Sequence, residues 1–284
     1  MMAKEISEEL WLDSLIERAL SEDIGSGDVT TESAVDQHKK ARAVWISKQN
    51  GVVAGLDVAR KVFQILDEEI TWEACTKDGN TVADGEVLAR LDGNARAILT
   101  AERVALNFVQ RMSGIATKTA EMVDLLKGSS TKILDTRKTV PGLRMLDKYA
   151  VKTGGGLNHR IGLFDMALVK ENHIRTAGGI TPAVQKIRSH KPGVKIEVET
   201  TTLDEVKEAL MAKVDMIMLD NMNLQTMKKA VEIIGGRAET EASGNMTSER
   251  LREVAATGVN YISVGALTHS VAAFDISQQI KEIY

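Results

Sequence analysis

The segment KIEVETTTLDEVKEALMAKVDMIMLDNM, residues 195–222, reads as strand, helix, strand. An apolar run at 195–198 leads into Thr202 and Glu205, spaced as a capping box, and a second apolar run follows at 216–219. Outward in both directions the alternation repeats, with further short strands expected at 132–134, 166–169, 238–241 and 261–264. Helix starts fall between them: Thr181 before Pro182, Asn223 and Thr247 are the expected caps. Strands alternating with amphipathic helices predict a parallel sheet with crossover helices, hence a barrel or barrel-like α/β domain.

The first third lacks this repeat. It mixes a helical pattern at 8–21, a Gly/Asp/Thr turn at 25–31, a strand from Ala41, a helix at 56–66 and short strands over 78–93, punctuated by Gly79, Gly85 and Gly93. This predicts a sandwich of sheet and helices. A long helix over 95–126, with Ser113 and Gly114 as the place for a bend, joins the two domains.

At 284 residues, 43% hydrophobic and 27% charged, the chain has an ordinary globular composition. A net charge of -4 gives no general attraction to nucleic acid or anionic membrane, so anion binding has to be local. The longest uncharged run, 254–274, is broken by too many polar residues to span a bilayer. With Cys75 as the single cysteine and acidic residues where a secretory signal needs an apolar run, a cytoplasmic location is expected.

The residues after each strand carry the chemistry. They are Asp135, Arg137 and Lys138; Lys170, Asn172 and His173; Glu199; Asp220 and Asn221; Ser243 and Gly244; and Gly265. In a β/α barrel these positions converge on the carboxyl rim, where active sites of this architecture lie. Residues 135–175 hold eight basic residues against four acidic ones within an acidic chain. Such a segment suits a small polyanion, because arginine forks pair with carboxylates and lysines act as point charges for phosphate. Arg144, Lys148 and Lys152, at helical spacing, read instead as a solvated face.

Glu199 and Asp220 suit Mg2+ completed by substrate oxygens, although a salt bridge from Glu199 to Lys138 or Lys170 is an alternative. His159 and His173 have no third ligand at recognisable spacing, which argues against zinc. His159 reads as a donor to a ligand carboxylate, with a structural histidine as the alternative. The run Gly154, Gly155, Gly156 either brings residues 158–160 to the ligand or ends the preceding helix. Ser243, Gly244 and Gly265 allow close backbone approach to a phosphate, but such pairs also describe ordinary turns. Lys170 after an apolar strand leaves a Schiff-base lyase open as a rival, and a binding protein with a degraded site is a second.

ILDTRKTVPGLR, KYAVKTGGGLNHRIGLFDMALVKENHI, IEVETTTLDEV, DMIMLDNM, EASGNMT and TGVNYISVGALTHS together resemble the quinolinate phosphoribosyltransferases, as do the upstream EDIGSGDVTT and TAERVALNFVQRMSGIAT. The resemblance implies an N-terminal α/β sandwich, residues 1–115 with 270–284 packing back on it, and an incomplete β/α barrel over 116–269. It implies phosphoribosyl transfer from phosphoribosyl pyrophosphate to quinolinate with decarboxylation, needing Mg2+ and no organic cofactor. The assembly it implies is a homodimer, with Arg103 reaching into the neighbour's site. Arg137, His159 and Arg160 match the residues that hold the pyridine carboxylates, with Lys138 and Lys170 near carboxylate and pyrophosphate. Glu199 and Asp220 match the acids that bind ribose and Mg2+, and Ser243, Gly244 and Gly265 match the phosphate cradle. Asn245 departs from the pattern, since many relatives have a second glycine there; asparagine can still take a turn conformation.

Overall fold

The computed structural model describes residues 8–284. Two compact units divide the chain, residues 1–117 with 271–284 and residues 118–270. The first begins with α1 (Glu8–Ile24) and α2 (Val29–Ala34), followed by β1 (Lys40–Ser47), β2 (Gly51–Val52), α3 (Leu56–Leu66), β3 (Thr71–Ala74), β4 (Thr81–Val82) and β5 (Val87–Asn94). The helix α4 (Ala95–Leu125) then leads into the second unit.

That second unit alternates strands and helices. Its elements are β6 (Lys132–Leu134), α5 (Arg144–Thr153), β7 (Ala167–Val169), α6 (Glu171–Ala177), α7 (Ile180–His190), β8 (Ile196–Thr200), α8 (Leu203–Met211) and β9 (Met216–Asp220). They continue with α9 (Leu224–Ile234), β10 (Glu239–Ser243), α10 (Leu251–Ala255), β11 (Tyr261–Ser263) and α11 (Ala266–His269). The last strand, β12 (Ile276–Ile283), returns to the first unit.

In the first unit β12, β1, β5 and β3 form an antiparallel sheet in that order. Alternation along β1 buries Ala41, Ala43, Trp45 and Ser47, and α3 buries Val58, Ala59, Val62 and Phe63. Trp45, Phe63 and Trp72 pack together with centroid separations of 5.1–6.0 Å, and the Trp45 indole donates to Gln278 Oε1 at 2.8 Å. α4 is continuous through Ser113 and Gly114. Ser113 Oγ accepts from Ala54 N, and a Cβ on Gly114 would lie 2.1 Å from the Ala272 carbonyl oxygen, so the glycine admits the returning chain.

The second unit is an incomplete β/α barrel: six parallel strands in the order β6, β11, β10, β9, β8, β7, with no pairing between β6 and β7. At the β6 edge the chain after α5 substitutes for a strand. Leu157 N donates to Ile133 O and Asp135 N donates to Leu157 O, which sets His159 and Arg160 beside β6. Gly154 caps the end of α5, so the glycine run both stops the helix and delivers these residues.

Thr202 with Glu205 forms the expected capping box, and Asn223 accepts from Thr226 N at 2.9 Å. Two expected caps are displaced. α7 starts earlier, with Gly179 as its cap, so Thr181 lies inside the first turn and donates its N–H to Glu208; Thr247 precedes a turn, and α10 begins only at Leu251. Residues 29–31, expected within a turn, open the short helix α2, whose Thr31 N–H is capped by Asp28.

Candidate active site

Side chains alternate along a strand, so Glu199 on β8, Met218 and Asp220 on β9, and Glu241 and Ser243 on β10 all face the barrel interior. They line one cavity of about 760 Å3 at the carboxyl ends of the strands, where the loops after β6, β7 and β11 add Arg137, Lys138, Lys170 and Gly265. His159, Arg160 and Gly244 complete the wall. Ten of the eleven residues matched to the family's site thus share a single cavity, which Asp135 and Asn221 also line. Arg103 does not: it lies exposed on α4 in the other unit.

Several of the cationic groups are left with capacity for a ligand. Arg137 is half-buried, and its buried Nε has no hydrogen-bond partner. Arg160 donates one Nη1 bond, to Met166 O at 3.1 Å; burial, then the neighbouring Arg137 charge, pulls its guanidinium below the usual value. The Lys170 ammonium, half exposed, lies 3.8 Å from Glu199 Oε2, close enough for the ion pair anticipated as an alternative role of Glu199. Burial raises the Glu199 carboxyl, Lys170 draws it down, and Asp220 raises it again.

The small residues have steric reasons. Gly244 has φ 95° and an added Cβ would sit 2.1 Å from Asn221 Oδ1, while at Gly265 it would lie 3.0 Å from Lys138 Cδ. Asn245, the departure from the family pattern, adopts φ 48° without being a glycine.

Around Asp135 and His159 the structure corrects one expectation and adds detail to another. Lys148 is not on a solvated face: its side chain is 3% exposed and its Nζ donates to Asp135 Oδ1 and to the His159 carbonyl. Asp135 Oδ1 also accepts from His159 N at 2.9 Å, so this buried ion pair grips the His159 backbone from both sides. Burial lifts the Asp135 carboxyl to about 6, against the pull of Lys148 and the His159 N–H. Of the expected trio Lys152 is exposed, whereas Arg144 is partly buried and donates to Thr139 Oγ1, Ile161 O and Arg137 O.

The His159 ring has protein partners of its own. Its Nε2 is committed to protein carboxylates, 2.8 Å from Glu197 Oε2 and 3.3 Å from Glu241 Oε2. His173 is remote from metal chemistry, because its Nδ1 accepts from Lys170 N and closes the first turn of α6. Among the described residues, His159, Glu197 and Glu241 are the one group of three whose donor atoms lie close enough for a shared ion, but the 2.8 Å contact is that of a shared proton. The sequence reading includes Asp135 among the strand-end residues and puts Lys148 on a solvated face, but it singles out neither Glu197 nor Glu241. The period of two offered a signal for the acids, since Glu197 stands two before Glu199 and Glu241 two before Ser243.

The family profile for the N-terminal domain of quinolinate phosphoribosyl transferase matches residues 28–113, and that for the C-terminal domain matches 115–279. This chain belongs to the quinolinate phosphoribosyltransferase family. A chloroplastic nicotinate-nucleotide pyrophosphorylase [carboxylating] of Oryza sativa subsp. japonica is 48% identical over 95% of this chain and 77% of its own length. A probable enzyme of the same name from Synechocystis is 45% identical over 95% of this chain and 92% of its own. The crystal structure of NadC from Streptococcus pyogenes superposes with a TM-score of 0.93 at 39% identity, covering 98% of each chain.

Proposed function

We propose that this chain transfers the phosphoribosyl group of phosphoribosyl pyrophosphate to quinolinate and releases carbon dioxide, giving nicotinate mononucleotide and pyrophosphate for NAD biosynthesis. The observation that carries this reading is the convergence of Arg137, Lys138, Arg160 and Lys170 on the cavity that also holds Glu199 and Asp220.

Arg137 and Arg160 supply the forks for the two pyridine carboxylates, with His159 as a further donor. Lys138 and Lys170 stabilise charge on the departing pyrophosphate, and Ser243, Gly244 and Gly265 receive the sugar phosphate. Glu199 and Asp220 are hard oxygen donors, Glu199 being raised by burial and, against the pull of Lys170, by the Asp220 charge, and the set fits Mg2+ together with the ribose hydroxyls. Bound there, Mg2+ would neutralise pyrophosphate charge. No organic cofactor is required, because the ring nitrogen becomes cationic once it carries ribose and its charge stabilises the adjacent ring carbanion left when carbon dioxide departs, which a proton then converts to the C–H of the product. Lys170 beside Glu199 in a half-exposed position lacks the desolvated pocket that a Schiff-base lysine needs.

A homodimer in which Arg103 completes the neighbour's site is part of this proposal, supported by its exposure on α4. Mixing Arg103→Ala chains with Lys138→Ala chains should restore part of the activity through hybrid dimers. Among the described residues no helix is long and apolar enough to cross a membrane, and the proposed cytoplasmic location is supported by the single cysteine, Cys75, which has no partner for an internal disulfide. The test of the reaction is competition between quinolinate and nicotinate as acceptors, with phosphoribosyl pyrophosphate and Mg2+ supplied. Preferential formation of nicotinate mononucleotide from quinolinate is expected; preference for nicotinate would move the chain to another substrate.

A further inference from the structure

We propose that Glu197 and Glu241 are positioning residues, two buried carboxylates that lock the His159 ring with Nε2 turned into the barrel and leave Nδ1 as the nitrogen available to a ligand. This rests on the reading of His159 as a contact of the pyridine substrate.

Glu197 and Glu241 project inward from β8 and β10, with β9 between them, and their side chains are 0% and 1% exposed. Such interior positions are ordinarily apolar, as Leu168 and Met218 are here. Glu197 Oε1 and both oxygens of Glu241 have no hydrogen-bond partner. Glu241 Oε2 approaches His159 Nε2 at 3.3 Å, and the two acids also act on each other: burial, and with it the neighbouring Glu241, pushes the Glu197 carboxyl up against the pull of His159. A buried carboxylate so poorly supplied with donors costs stability, and an apolar side chain of similar size would serve the barrel core better. The acids therefore have a task other than packing, and the group both touch is the His159 ring.

The ring has two nitrogens, and both carry protons when it is cationic. Burial works against that state, but the Glu197 hydrogen bond and the charges of both acids outweigh it and lift the ring to about 9. Nε2–H is thus fixed toward the acids. No described residue accepts from Nδ1, and His159 lines the cavity, so Nδ1–H is the donor left for an anionic ligand. The Asp135–Lys148 grip on the backbone removes the remaining freedom, and ring orientation is set at both ends.

A double-mutant cycle tests this through steady-state kinetics. Glu241→Gln should raise KM for quinolinate about tenfold or more and change KM for phosphoribosyl pyrophosphate less than about twofold. In a His159→Asn background the same change should have no further effect. Equal costs in both backgrounds, or parallel rises in both KM values, would overturn the proposal. Nitrogen-15 histidine NMR on the wild-type protein provides a readout that needs no variant to fold. A proton-bearing, hydrogen-bonded Nε2, with Nδ1 shifting when quinolinate is added, is expected; exchanging tautomers or an unprotonated, metal-bound Nε2 would contradict it. Failure of the wild-type protein to turn over quinolinate would count against the assigned reaction, while the ligand-free ring signature decides the positioning by itself.

Discussion

Asp135 and Lys148 bury opposite charges in contact, whereas Glu197 and Glu241 set two buried acids against one imidazole nitrogen, and both groups hold His159. The first is compensated: the ammonium meets a carboxylate and a carbonyl, and the carboxylate collects a backbone N–H as well. The second is acid-rich and short of donors. A compensated pair fixes backbone and serves stability, while an undercompensated one spends stability to orient a ring beside the ligand cavity. Loss of a member should accordingly show in folding for the first group and in substrate use for the second.

The largest expected effect breaks the compensated group. Lys148→Met leaves the Asp135 carboxylate buried without its partner and should lower unfolding free energy by about 3 kcal/mol, measured by denaturant titration. Arg160→Lys, outside both groups, keeps charge and loses the fork; kcat/KM for quinolinate should fall about 100-fold, equivalent to about 2.7 kcal/mol, with little change in melting temperature.

The pH response sharpens the contrast. The His159 ring is raised from 6.5 to about 9, so the stability it contributes is present in full below pH 6.5 and is lost as pH rises through 9. Between those limits the wild-type protein should lose on the order of 2 kcal/mol that His159→Asn does not lose, as read from unfolding curves at successive pH values. The smallest effect belongs to the exposed neighbour of Lys148 on α5: Lys152→Ala should change stability by less than about 0.5 kcal/mol.

That pair of lysines also marks where the sequence stops being informative. Four residues apart on one helix, Lys148 and Lys152 look alike as letters, and what separates them is Asp135, placed beside Lys148 by the fold. The barrel strands β6, β7 and β9 were legible because they are short, mostly apolar runs, and the starts of α8 and α9 because Thr202 and Asn223 cap through their own side chains. β3 was not legible: it is a sheet-edge strand whose residues are largely exposed, so its sequence carries no burial pattern. The cavity's cations and acids could be listed from strand ends, but the commitment of the His159 ring to Glu197 and Glu241 depends on chain segments that meet only in the barrel.

The central claim is a cationic cavity in which a pyridine diacid receives ribose and loses one carboxylate. Quinolinate labelled in the carboxylate next to the ring nitrogen, incubated with phosphoribosyl pyrophosphate, Mg2+ and the purified protein, measures it most directly. Labelled carbon dioxide and pyrophosphate should appear in equal amounts and only when both substrates are present. Pyrophosphate without labelled carbon dioxide, or no release of either, would contradict the account.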